Sequence, residues 1–119
     1  MRKFLFIMRY SPWPGVIPGE CLDMAMTVAA FDQAVSLLFL DDGVLQLQTG
    51  QIPPAGYRGR VLNPVWDALE LYDITTLWVE QESLRQRGLD ATRLLRPIQL
   101  IRRSDVPGLI AAHDRVVSG

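Results

Sequence analysis

Two adjacent carboxylates, a single thiol and a single imidazole stand out as possible chemistry in this sequence of 119 residues. Asp41 and Asp42 follow the apolar run Ala34 to Leu40 and precede Gly43, so they fall where a buried strand would end. Open α/β sheets bind ligands at the carboxyl ends of their strands, which makes the pair a candidate for metal, phosphate or acid–base work. A phosphate-accepting site of this kind needs a lysine on a late strand, and Lys3 is the only lysine. A Walker loop needs GxxxxGK[ST] and a dinucleotide site needs GxGxxG; the turn RYSPWPGVIPGE after the first apolar run supplies neither. The aspartates are therefore expected to end the strand and accept local backbone hydrogen bonds, with Gly43 making the turn. No metal and no cofactor is expected.

Cys21, the one cysteine, excludes an internal disulfide and any zinc site built from several thiolates, and suits a reducing compartment. It falls near the expected start of a helix, where free N–H groups and the helix dipole lower a thiol's pKa. Glu20 and Asp23 act in the opposite sense, and unpaired cysteine is often a small buried hydrophobe. His113 has no serine elbow of the GxSxG type to serve, so a surface or interface role is expected. The arginines of SLRQRGLDATRLLRP, with Arg102 and Arg103, read as a solvated face or a docking patch for an acidic partner or a tRNA backbone. Trp66, Tyr72 and Trp78 lie inside helix and strand patterns and read as core or interface aromatics.

The elements that must position these groups follow from apolar spacing. Lys3–Met8 and Ala34–Leu40 are short, nearly unbroken apolar runs bounded by turn residues, the pattern of strands buried on both faces. Thr76–Val79 and Ile98–Ile101 are further strands, with Val116 and Val117 a short last one. Pro18–Gln33 reads as a helix with Leu22, Ala25, Met26, Ala29 and Ala30 on one face, and a second apolar stripe of Met24, Val28 and Phe31. A helix apolar nearly all round is buried on two sides. Asn63 and Pro64 open a helix whose Val65, Leu69 and Tyr72 share a face, and Ser83–Gln86 forms a short turn closed by Gly88. Ser104 is expected to cap a helix running from about Asp105 to Arg115. This order predicts one α/β domain, residues 1–119: a three-layer sandwich around a mainly parallel sheet of about five strands, flavodoxin-like or Rossmann-like. The long loop is Gln46–Arg60.

Composition narrows the partners. With a formal net charge of -1, the chain lacks the broad basic field that drives sequence-independent nucleic-acid binding, so no direct nucleic acid is expected. Its N-terminal apolar run, Phe4–Met8, is too short for a signal h-region or a membrane span, and a cytoplasmic protein is expected. Apolar residues at 49 % are on the greasy side of average for a domain of this size, and part of that excess is expected on a surface covered by another chain.

Taken together, FLFIMRYSPWPG, ECLDMAMTVAAFDQ, LFLDDGVLQLQTGQ and LYDITTLWVEQESLRQRGL, with the last helix, resemble the DsrE/DsrF-like family in its TusC (DsrF) branch, over nearly the whole chain. The resemblance implies a DsrE-like fold and a sulfur relay, in which a TusD/DsrE-like subunit, a TusB/DsrH-like subunit and a TusC-like subunit form a heterohexamer. It implies sulfur delivered from a TusA-like carrier and passed through TusE-like carriers toward tRNA 2-thiouridine synthesis, or used in sulfur oxidation. The family's reactive cysteine belongs to the TusD/DsrE subunit. Counting back from Gly88, its position here is occupied by Glu80.

The expectation is a non-catalytic subunit, with Met24, Val28, Phe31, Val44, Leu45 and Leu47 as its interface. Two alternatives stay open: a sulfurtransferase carrying persulfide on Cys21, and a homo-oligomeric small-ligand module using Asp41 and Asp42.

Overall fold

A computed structural model describes residues 1–12, 16–48, 55–56, 67–94 and 97–118. Five strands make one sheet in the order β4-β3-β2-β1-β5: β1 Lys3–Met8, β2 Ala34–Phe39, β3 Thr76–Glu80, β4 Gln99–Ile101 and β5 Arg115–Ser118. Every adjacent pair is parallel, with Lys3 opposite Ala34, Ser36 opposite Thr76, Trp78 opposite Gln99 and Phe4 opposite Arg115. Helix α1 is Val16–Ala30, α2 is Gln81–Gln86 and α3 is Val106–Ala111.

Strand side chains alternate between two cores, as the period of two requires. Phe6, Met8, Val35, Leu37, Phe39, Leu77 and Val79 face α1 through Cys21, Leu22 and Ala25, joined by Val44, Leu47 and Leu84. Leu5, Ile7, Leu38 and Leu40 face the other way, onto Val106, Leu109 and Ile110 around α3. The sheet is thus sandwiched between helical layers, and its central strands carry apolar residues pointing to both faces because both are covered.

Several boundaries differ from expectation for local reasons. Helix α1 stops at Ala30 because Asp32 adopts a left-handed backbone, φ 62°, while its N–H bonds the Ala29 carbonyl. Gly88, φ 64°, closes α2 as expected, with its N–H on the Arg85 carbonyl. Leu69–Tyr72 is a tight 3-10 turn ended by Asp73 at φ 59°; Leu69 is buried but Tyr72 is exposed, so the two share no buried face. Val65, Trp66 and the Asn63–Pro64 cap lie outside the described residues, as does most of Gln46–Arg60. The last helix is shorter than expected. Asp105, not Ser104, precedes α3, with no side-chain cap, and Arg115 belongs to β5.

Candidate functional site

The carboxyl ends of β2, β3 and β4 meet in one hydrogen-bonded cluster. Glu80 closes β3 and is only 4 % exposed. Its Oε1 accepts from Ser83 Oγ at 2.6 Å and from Arg103 Nε and Nη2 at 3.1 and 2.8 Å. Ser83, fully buried, in turn accepts from the Asp41 backbone N–H at 2.8 Å. The Arg103 N–H donates to the Glu82 carboxylate, at 2.9 Å to Oε1. Three strand ends are thereby tied together by one carboxylate, one hydroxyl and one guanidinium.

Burial alone would push the Glu80 pKa up, but hydrogen bonds from Arg103 and Ser83 and the charges of Arg103 and Arg87 outweigh it. The carboxyl is held below its usual range and stays ionised at neutral pH. Arg103, half-exposed, is held in the charged form chiefly by the hydrogen bond to Glu80.

Asp41 and Asp42 are engaged in the chain's own backbone turn and ion pairing. Asp41 takes the left-handed conformation, φ 52°, at which the chain leaves β2, and Asp42 receives Arg87 Nε and Nη2 at 3.0 and 2.9 Å. Gly43 closes the turn with its N–H on the Leu40 carbonyl at 3.0 Å, and its backbone also lies against the Met8 carbonyl, where a Cβ would collide with that oxygen. Glycine is needed for close approach, while an aspartate supplies the unusual backbone angle. Among the described residues no group of three or more His, Cys, Asp or Glu is arranged to hold a metal ion.

Cys21 lies inside α1 rather than in its first turn, is 6 % exposed, and has its pKa pushed up to about 11 by burial. The dipole that would activate a thiol acts at a helix terminus, and here desolvation dominates. His113 sits past α3 with its Nδ1–H on the Leu109 carbonyl at 2.7 Å, just before the start of β5 and so at the edge of the parallel sheet opposite the strand-end cluster. Arg87, Arg102 and Arg103 are paired with Asp42, Asp105 and Glu80.

The expected interface residues separate into three groups. Met24 and Phe31 are 50 % and 73 % exposed. Val28 and Leu45 are partly buried. Val44 and Leu47 are fully buried in the chain's own core, which corrects their assignment to an interface: the Asp41–Leu47 turn folds them under β2, against Met8 and Phe39. Apolar residues past a strand end needed cover, and the same chain provides it.

Nothing in the sequence marks Ser83 and Arg103 together as partners of Glu80. Ser83, three residues on, is a weak local signal, and Arg103 arrives only through the pairing of β3 with β4, Glu80 opposite Ile101.

A parallel five-stranded α/β sandwich with its polar cluster at the strand ends is the class of protein this structure defines. The chain belongs to the DsrE/DsrF-like family, whose profile matches residues 2–118. A TusC homolog of Pseudomonas aeruginosa is 37 % identical over 98 % of both chains. The intracellular sulfur oxidation protein DsrF of Allochromatium vinosum is 37 % identical over 75 % of this chain and 65 % of its own. A TusC homolog of Vibrio vulnificus is 30 % identical over 99 % of both. The crystal structure of the ychN protein from E. coli matches the full length of both chains with a TM-score of 0.81 at 16 % identity, a likeness of fold. Among the described residues no helix is long and apolar enough to cross a membrane.

Proposed function

We propose that this chain is a non-catalytic subunit of a cytoplasmic sulfur-relay complex, helping to shape the site around a sister subunit's thiol. The observation that carries this reading is Glu80. It stands where the family resemblance places a reactive cysteine, and Arg103 and Ser83 hold it as a buried carboxylate. In persulfide transfer an acceptor thiolate attacks the outer sulfur of the donor, the S–S bond breaks, and the donor leaves as a thiolate. A carboxylate cannot take the acceptor's part, and Cys21 is buried with a raised pKa.

The partners under this reading are TusD/DsrE-like and TusB/DsrH-like subunits in a heterohexamer, served by TusA-like and TusE-like carriers. The delivered sulfur supports tRNA 2-thiouridine synthesis or sulfur oxidation.

The test is to incubate the purified chain, alone and with sister subunits, with a persulfide-loaded carrier and to measure intact masses. The chain should gain no sulfur in either mixture while the TusD-like subunit does. Stoichiometric, donor-dependent sulfur on Cys21, absent in Cys21→Ser, would overturn the proposal.

A further inference from the structure

We propose that the outer face made by α1 and the Leu69–Tyr72 turn docks a protein surface that sets lysine or arginine around an apolar centre. This deepens the subunit reading, and rests on it for the existence of a partner protein. Met24, Thr27 and Phe31 recur at three- and four-residue spacing, so they form one outward stripe on and just beyond α1. Met24 and Phe31 are 50 % and 73 % exposed; from the neighbouring turn, Leu71 and Tyr72 are 84 % and 40 % exposed. Between helix and turn runs a groove of about 420 Å³, with Met26, Ala30, Phe31 and Tyr72 in its wall. Single exposed apolar side chains are ordinary, but Phe31 and Tyr72 lining one groove, with Met24 and Leu71 exposed on the same two elements, mark an interaction surface.

The charges around this patch identify the kind of partner. Glu20 lies one helical turn before Met24, Asp32 follows Phe31, and Asp73 follows Tyr72; all three are exposed. Among the described residues none of these three carboxylates takes part in an ion pair. Residues 19–33 and 67–75 contain no lysine or arginine at all. A second copy docking through the same face about a two-fold axis would set these carboxylates against their own kind. A basic rim gains attraction at each of the three positions while its apolar centre fills the groove.

Two synthetic amphipathic helices with the same leucine stripe test this, one with lysine and one with glutamate on its remaining positions. A third peptide keeps the lysines and replaces leucine by glutamine. Titration calorimetry and amide shifts on the full chain should show the leucine–lysine peptide binding about tenfold or more tighter than either other peptide, weakening as salt is added. The shifts should centre on Met24, Phe31 and Tyr72. The triple variant E20K/D32K/D73K should reverse the preference between the two leucine peptides. Phe31→Ser should abolish binding with an unchanged circular dichroism spectrum.

Equal binding of both leucine peptides, binding of the leucine-free peptide as tight as the leucine–lysine one, or shifts centred elsewhere would overturn the proposal. So would light scattering that finds a dimer which Phe31→Ser converts to a monomer. None of these outcomes depends on sulfur transfer, so the face can fail while the subunit reading stands.

Discussion

Glu80 and Arg103 meet across the ends of β3 and β4 with Arg103 Nε and Nη2 both on a single carboxylate oxygen, and the two side chains are 5 % and 49 % exposed. The buried member of the pair is the acid. Its charge depends on a guanidinium that reaches in from the surface, and on a hydroxyl, Ser83, that also holds the Asp41 N–H. Removing one partner of a buried charge costs more than replacing both by apolar groups, because the charge left behind is uncompensated.

Arg103→Ala should therefore lower Tm by several degrees, more than Glu80→Gln does. In a double-mutant cycle, Glu80→Met with Arg103→Ala should be more stable than Arg103→Ala alone. Thermal unfolding of the four proteins reads the coupling directly. Additive effects would mean that the pair is decorative.

The same pair gives a pH dependence of defined sign. The folded pKa of Glu80 is held below its unfolded value of about 4.3. Its ionisation therefore stabilises the fold fully above that value, and the contribution disappears as pH falls through the lower, folded value. From pH 7 down to about 5 this group should produce no change. In Glu80→Gln the loss of stability below about pH 4 should be shallower than in the parent, measured by urea unfolding at successive pH values.

Gly43 should tolerate no side chain. A Cβ there overlaps the Met8 carbonyl, a backbone atom at the end of β1 that is held by the Leu40 N–H. Gly43→Ala should cost about 3 kcal/mol in chemical denaturation. Gly88→Ala, whose Cβ would meet open space but whose φ is 64°, should cost only about 1 kcal/mol.

Two groups of apolar residues that look alike in the sequence should behave differently. Leu47→Ala removes a fully buried side chain and should cost about 2–5 kcal/mol in the isolated chain. Met24→Asp with Phe31→Asp alters exposed positions, should change stability by less than about 1 kcal/mol, and should abolish co-purification with co-expressed sister subunits. Intact assembly with that double variant would place the contact elsewhere.

What the amino-acid order determined alone was the architecture. Nearly unbroken apolar runs at Lys3–Met8 and Ala34–Phe39 are stable as strands covered on both faces, and the helical spacing of Leu22 and Ala25 set the side of α1 that covers one of them. Absent motifs were equally legible: a chain with one lysine and no glycine-rich phosphate loop declares that in its letters. Pairing between distant segments was not legible. Glu80 and Arg103 are 23 residues apart and meet only because β3 and β4 lie side by side, while Asp42 and Arg87 are 45 apart. Nor could local composition tell an apolar turn folded back under its own sheet, as at Val44 and Leu47, from an apolar stripe left facing outward, as at Met24 and Phe31. Hydrophobicity states only that a side chain must leave water; which surface receives it is decided by how the whole chain packs.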